Sequence, residues 1–256
     1  MKIKILCIIL LISIFGNAQN AADIDQVLGT NYRGFNRVDD IVVQPDGKTI
    51  VGGIFCYGQN NSAPQGHIVR FNIDGSIDQS FQAVETETLS SIINMSLQTD
   101  GKVLIAAYFM VPGGGANGNM IRLNTDGSLD NTFSNPIYGT IRTIALQPDN
   151  KIIVGGSFKV VVNGNYQRAI ARLNTDGSVD TTFAYGVSGF TSSATVNKVA
   201  LQADGKILAA GGFGPFNGIN QGLIMRFNSN GTKDTTFENG SGASGNNLTE
   251  IVVQPD

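Results

Sequence analysis

Thr143-Ile144-Ala145-Leu146-Gln147-Pro148-Asp149-Asn150-Lys151-Ile152-Ile153-Val154-Gly155-Gly156-Ser157-Phe158, followed after a variable gap by Ala171-Arg172-Leu173-Asn174-Thr175-Asp176-Gly177-Ser178-Val179-Asp180-Thr181-Thr182-Phe183, is the stretch that decides the fold. Its first half is two short apolar runs on either side of Pro148-Asp149-Asn150. A three-residue loop joining two strands needs a left-handed last residue, and Asn tolerates that region best after Gly. The counterparts Pro45-Asp46-Gly47, Thr99-Asp100-Gly101 and Ala203-Asp204-Gly205 all end on Gly. The flanking segments, Ile144 to Leu146 and Ile152 to Val154, read as inner strands buried on both faces.

The second half turns on Thr175-Asp176-Gly177. Counting outward from Asp176 pairs Asn174 with Ser178, Leu173 with Val179 and Arg172 with Asp180. Side chains alternate across a strand, so the apolar pair faces one side and the Arg–Asp and Asn–Ser pairs face the other. The same symmetry joins Arg70 to Asp78, Arg122 to Asp130 and Arg226 to Asp234. These pairs read as register-fixing contacts, each worth less than about 1 kcal/mol if partly exposed. A Phe closes each unit (Phe81, Phe133, Phe183, Phe237) and is expected between neighbouring units.

Two anchors set the period. Gln44, Gln98, Gln147, Gln202 and Gln254 step by 54, 49, 55 and 52 residues, and Arg70, Arg122, Arg172 and Arg226 by 52, 50 and 54. A period near 50 without helical patterning predicts an all-β chain, a β-propeller of four-stranded antiparallel blades. Blades are expected at about 38–81, 92–133, 141–183 and 196–237, with partial blades at 19–37 and 246–256. Asp23 to Leu28 aligns with Ser76 to Phe81 as a fourth strand, and Ile251 to Asp256 is a first strand cut inside its turn. The chain is therefore expected to be a fragment of a longer protein; an imperfect four- or five-bladed ring is the competing reading. The doublets Gly52-Gly53, Ala106-Ala107, Gly155-Gly156 and Gly211-Gly212 share small size, as needed where strands or blades approach closely.

Composition agrees. Charged residues are 14%, Gly numbers 32 of 256, and Asp outnumbers Glu sixteen to four, a balance that favours strands and turns over helices. Residues 1–18 have the form of a secretory signal peptide: Lys2 and Lys4, an apolar run from Ile5 to Phe15, then Gly16-Asn17-Ala18 before a cut at Gln19. Eleven residues are too few to span a bilayer core of about 30 Å. Cys7 sits within the run, which argues against a lipid-modified cysteine. Cleavage takes the formal charge from −3 to −5 and leaves Cys56 as the only cysteine, so no internal disulfide is expected. Cys56 reads as a half-buried, inert thiol. The acidic balance excludes a broad basic surface for nucleic acid or anionic membrane. The chain is expected to be secreted or at the cell surface.

Together the strand ending Gln-Pro-Asp-Gly-Lys, the Gly-Gly-x-Phe segment and the Arg-Leu-Asn-x-Asp-Gly-Ser-Leu-Asp-x-x-Phe run resemble the delta-60 repeat, a bacterial β-propeller family of largely unknown function. The resemblance covers nearly all of the chain after residue 18. It departs at Thr99, Ala203, Ala106-Ala107 and Asn230-Gly231-Thr232-Lys233. It implies a secreted or surface-exposed propeller and no established activity. Kelch repeats are the runner-up, but their Tyr and Trp markers are missing and the chain has no Trp.

Chemistry-bearing residues are few. Reading Asn72 to Asp78 as an EF-hand would place Arg70 and Phe81 at acidic ligand positions, which excludes it. A looser calcium site from Asp74 and Asp78 stays open beside the Arg70–Asp78 pairing. His67 is the single histidine, and its equivalents are Asn119, Ala169 and Leu223, so it reads as a non-catalytic residue and no two-histidine metal site exists. Carboxylates outside the repeat are Asp23, Asp39, Asp40, Glu85, Glu87, Glu238 and Glu250. Adjacent Asp39 and Asp40 are expected to point to opposite faces of a strand. No catalytic residue, metal or cofactor is expected.

The variable gaps are the remaining candidates: Ile54–Val69, Tyr108–Ile121, Ser157–Ala171 and Phe213–Met225. Rigid units with variable loops on a common face present binding surfaces. Tyr57, Phe109, Tyr166 and Phe216 are the candidate ligand-face residues, with Val111 and Phe213 beside them. The expected role is a non-enzymatic binding or structural scaffold for an unknown extracellular protein or glycan, with no nucleic acid and no membrane insertion after signal cleavage. The alternative is the propeller part of an extracellular enzyme, for example a polysaccharide-active one, whose catalytic residues lie elsewhere.

Overall fold

The computed structural model describes residues 32–57, 65–83, 89–110, 116–183, 190–216, 219–220, 222–238 and 248–254. The expected signal peptide and the aligned strand at 23–28 lie outside them. Four three-stranded antiparallel sheets follow one another along the chain. Blade I holds β1 (Tyr32–Val43), β2 (Thr49–Tyr57) and β3 (Gln65–Phe71). Blade II holds β4 (Leu89–Leu97), β5 (Val103–Met110) and β6 (Ala116–Leu123). Blade III holds β7 (Tyr138–Leu146), β8 (Ile152–Val162) and β9 (Asn165–Leu173). Blade IV holds β10 (Thr195–Leu201), β11 (Ile207–Gly212) and, after a small hairpin of β12 (Pro215–Phe216) with β13 (Ile219–Asn220), β14 (Ile224–Phe227). The described residues contain no helix.

Both turns of each unit share one geometry. Gln147 N donates to Lys151 O and Asn150 N to Gln147 O, while Asn174 N donates to Ser178 O and Gly177 N to Asn174 O. The last turn residue is left-handed throughout: Gly47, Gly101, Asn150 and Gly205 in the first turn, and Gly75, Gly127, Gly177 and Gly231 in the second. Leu173 pairs with Val179 and Asp180 N donates to Arg172 O, the register read from the turn.

The fourth strand is shorter than a four-stranded blade implies. It is one bridge long in each unit: Phe71 with Ile77, Leu123 with Leu129, Leu173 with Val179, Phe227 with Lys233. The Asp that follows ends it. Asp180 Oδ1 accepts from Thr182 N and Thr182 Oγ1, and Phe183 N donates back to Asp180 O, which turns the chain out of the ladder.

β8 is buried on both faces from Ile152 to Gly156, whereas β7 is buried at Ile141, Thr143 and Ile144 and leaves Tyr138 and Arg142 exposed. The small doublets lie inside the second strands. By register they are Gly52-Gly53, Ala106-Ala107, Gly155-Gly156 and, correcting the fourth unit, Ala210-Gly211. A Cβ on Gly155 would collide with Val196 of blade IV, and one on Gly52 with Ile92 and Met95 of blade II. The first member thus sets the spacing between blades. The second lies opposite a β-bulge present in every first strand, at Asp39, Ile93, Arg142 and Asn197.

The core is a series of interblade layers. Ile141, Ile144, Ile152, Val154 and Leu173 of blade III meet Leu104 and Ala106 of blade II, while Ile153, Ala169 and Ile170 meet Val196, Ile207 and Phe227 of blade IV.

Candidate functional site

The repeated polar residues assemble into one cluster per blade. In blade III, Asp180 Oδ2 accepts from Arg172 Nε at 2.8 Å and from Lys151 Nζ at 2.8 Å, and Oδ1 accepts from Thr182. Asp78 joins Arg70 and Lys48, Asp130 joins Arg122 and Lys102, and Asp234 joins Arg226 and Lys206. The aspartates are buried, and so are Arg70, Arg122 and Arg172. The expected Arg–Asp pair is buried, and a half-buried Lys joins it as a third member. Burial raises the carboxyl pKa of Asp78 and Asp180, but bonds from the lysine and the Ser80 or Thr182 hydroxyl outweigh it and hold both well below the usual range. Lys102 has the largest effect in lowering Asp130, and the Thr236 hydroxyl in lowering Asp234.

The networks of blades I to III also tie each blade to the next. Arg70 Nη1 donates to Thr125 O, Arg122 Nη1 to Thr175 O, and Arg172 Nη1 to Ser229 O, all in the second turn of the following blade. The guanidinium lies over the closing Phe of its own unit, 4.5 Å from Phe81 and 4.8 Å from Phe183. Phe133 and Phe183 pack beneath Gly177 and Gly231 of the next blade. Asp74, one half of the looser calcium reading, accepts from the Ser76 hydroxyl and amide, which lower its pKa. A recess of 250 Å³ between blades II and III at this end is lined by Gln98, Asp100, Arg122, Asn150, Thr175 and Asp176. Its Arg122–Thr175 and Thr99–Asn150 bonds belong to the same scaffold.

The first strands carry a second interblade device. Asp40 Oδ2 accepts from Met95 N at 2.6 Å, Asn94 Oδ1 from Ile144 N at 2.8 Å, and Thr143 Oγ1 from Val199 N at 3.3 Å. The equivalent residue in blade IV is Lys198, which cannot accept; its Nζ lies 3.0 Å from Glu250, one unit further on. Asp39 and Asp40 do not diverge as adjacent strand residues would. The bulge at Asp39 breaks the alternation, so Asp39 accepts from Ile92 N while Asp40 accepts from Met95 N, both in blade II. His67 is half-buried; burial lowers its pKa, against the opposing influence of the Gly53 carbonyl and Asp39.

The opposite end carries the variable hairpins. The side chains of Tyr57 and Phe216, with Cys56 and Val111, lie outside the described residues. Phe109 is half-buried against the core, and Phe213, expected with the exposed group, is buried 5.6 Å from Phe190. Tyr166 is 55% exposed.

Tyr166 stands on the hairpin that extends blade III. Asn163 and Gly164 are both left-handed, the geometry of a two-residue turn that matches strand twist. The turn fixes Val162 opposite Asn165, Val161 opposite Tyr166 and Lys159 opposite Arg168, and Lys159 also pairs with Tyr138 of β7. Phe158, Val160, Val162 and Gln167 are buried, so Tyr138, Lys159, Val161, Tyr166 and Arg168 form the outer face. Lys159 Nζ lies 5.0 Å and the Arg168 guanidinium 5.9 Å from the Tyr166 ring centre. Sequence reading singled out only Tyr166 here. Asn163-Gly164 between alternating residues was the signal for the rest.

The sequence profile of a family described as domain of unknown function (DUF5122) beta-propeller matches residues 44–81, 98–133, 147–183 and 202–237. The chain belongs to the DUF5122 β-propeller family. Each match runs from the Gln before the first turn to the closing Phe, so the DUF5122 repeat contains both turns and the complete Arg–Asp–Lys network. No curated protein matches the chain. Among solved structures it is similar to the gluconolactonase XC5397 of Xanthomonas campestris, at 14% identity over 77% of this chain and 60% of that one, with a TM-score of 0.46. It is also similar to PorZ, a bacterial surface component of the type-IX secretion system of Porphyromonas gingivalis, at 15% identity over 77% of this chain and 26% of that one, with a TM-score of 0.45. A PL25 ulvan lyase follows at 12% identity, 82% and 58% coverage, and a TM-score of 0.41. The chain thus spans about 60% or less of these proteins' lengths, and the likeness concerns the fold alone.

Proposed function

We propose that this DUF5122 chain, with repeats of the delta-60 type, is a secreted or cell-surface propeller that acts as a non-enzymatic binding scaffold. Its ligand surface is the end that carries the second-to-third-strand hairpins. The observation that carries this reading is a division of labour between the two ends. Repeated carboxylates and arginines are consumed in holding blades together, whereas the blade III hairpin and the adjoining end of β7 set two tyrosines and a valine, 65%, 55% and 49% exposed, on one face (Tyr138, Tyr166, Val161). Large apolar side chains gathered on a rigid exposed sheet mark interaction sites more often than scattered ones do.

The test is binding of the full chain to an array of extracellular proteins and polysaccharides, with parallel assay for released product. Saturable binding that Tyr166→Ala or Val161→Ser weakens at least tenfold supports the reading. Binding indifferent to both substitutions overturns it. Product release by the chain replaces it with the enzymatic alternative.

A further inference from the structure

The outer face of the blade III hairpin sets two cations side by side over the Tyr166 ring, a charge pattern that no carboxylate among the described residues balances. Lys159 and Arg168 are direct cross-strand partners. Like charges set opposite each other destabilise a strand pair. Neither has a carboxylate partner among the described residues, whereas the repeated Arg and Lys of each unit share one Asp. The two cations are concentrated in a chain whose formal charge is −3. The strand pairs at this level in blades I and II are Cys56 with Gln65 and Met110 with Ala116, so the cations are not part of the repeat.

Aromatic faces accompany the charge. Tyr138, Lys159 and Arg168 form one row across three adjacent strands, which spans about 10 Å at the usual strand spacing. Val161 and Tyr166 form the next row. Below them the same side of β8 packs on blade IV through Ile153 and Gly155, so the exposed rows stand above that contact on a fixed sheet.

We propose that this face binds an anionic polysaccharide, its sugar rings stacking on Tyr138 and Tyr166 and its carboxylate or sulfate groups reaching Lys159 and Arg168. The proposal rests on the hairpin being the binding surface. A sugar ring offers a C–H face that lies flat on tyrosine and, in acidic sugars, an anion at its edge. Charge complementarity selects the anionic class, since an anion between Lys159 and Arg168 relieves their mutual repulsion and gains charge-assisted hydrogen bonds.

The experiment is calorimetric titration of the full chain with four probes of matched length: an oligouronate, a sulfated oligosaccharide, a neutral oligosaccharide and a polyglutamate peptide. Expected is binding of the uronate, the sulfated sugar or both, at least tenfold tighter than the neutral sugar and the peptide, and weakening with added salt. The preferred arm identifies the anion. Tyr166→Ala should weaken it at least tenfold. The double variant Lys159→Gln/Arg168→Gln should do the same and flatten the salt dependence, with a melting temperature equal to or above that of the wild type. Equal affinity for the neutral sugar, or unchanged affinity in both variants, overturns the proposal. Polyglutamate binding with the same dependence on the variants overturns the saccharide class while leaving the hairpin as a binding surface. Absence of hairpin-dependent binding to any target, protein or polysaccharide, removes both.

Discussion

Arg172 Nε and Asp180 Oδ2 are 2.8 Å apart on strands that meet at a single bridge, and Arg172 Nη1 reaches on to Ser229 O of the next blade. One guanidinium therefore closes its own blade and docks it on its neighbour. Asp180→Ala leaves Arg172 and Lys151 without their common counter-ion, and is expected to cost about 3–5 kcal/mol, as removal of one partner of a buried pair does. In a double-mutant cycle by denaturant unfolding, Arg172→Ala and Asp180→Ala should show positive coupling. Additive effects would refute the pairing.

Acid should unfold the chain through the same networks. Asp78, Asp130, Asp180 and Asp234 all have folded pKa values below those of an unfolded aspartate. Between the two values the unfolded chain binds more protons, so stability rises with pH. The contribution is complete above the unfolded value of about 4 and is lost as pH falls from there toward the lower folded values. Melting temperatures between pH 7 and pH 2 should drop mainly below about pH 4, and less steeply in Asp180→Asn. A curve of equal steepness in the variant would contradict the assignment.

Gly177 is left-handed, and a Cβ there would run into Ser134 O and the Phe133 ring. Gly177→Ala should destabilise by about 2 kcal/mol or more, combining the left-handed penalty with a backbone collision. Gly164 is left-handed too but faces open space, so Gly164→Ala should cost only the backbone share, about 1 kcal/mol. Equal losses would show that the interblade contact at Gly177 is unimportant.

Asp40→Ala removes the acceptor of Met95 N between blades I and II. An orphaned backbone donor costs about 1–3 kcal/mol, and Asp40→Asn should retain most of the stability. Hydrogen exchange at the Met95 amide reads this directly, accelerating in the Ala variant and staying protected in the Asn variant.

Much of the fold was legible because turns and register are local. The Thr175-Asp176-Gly177 turn fixes Leu173 opposite Val179 and Arg172 beside Asp180 within a few residues. What escaped depends on atoms far apart in sequence or on broken alternation. Lys151 recurs in every unit, yet its partner Asp180 becomes visible only when the two turns are placed at the same end. The bulge at Asp39 shifts the alternation by one residue, which strand periodicity cannot anticipate. The fourth doublet was misplaced by one residue, although counting eight from Gln202, as from Gln147 to Gly155, gives Ala210. In the candidate site, Tyr166 was visible as an exposed loop aromatic. Tyr138, Lys159 and Arg168 needed the register that Asn163-Gly164 imposes.

The central claim is that the repeat holds the blades while the blade III hairpin holds the ligand. Its most direct test is one paired measurement, melting temperature and affinity for the preferred anionic oligosaccharide (uronate or sulfated), on wild type, Asp180→Asn and Tyr166→Ala at a temperature where all three are folded. The account predicts that Asp180→Asn lowers the melting temperature with affinity unchanged, and that Tyr166→Ala loses at least tenfold in affinity with the melting temperature unchanged. Loss of affinity in folded Asp180→Asn, or full affinity in Tyr166→Ala, would contradict it.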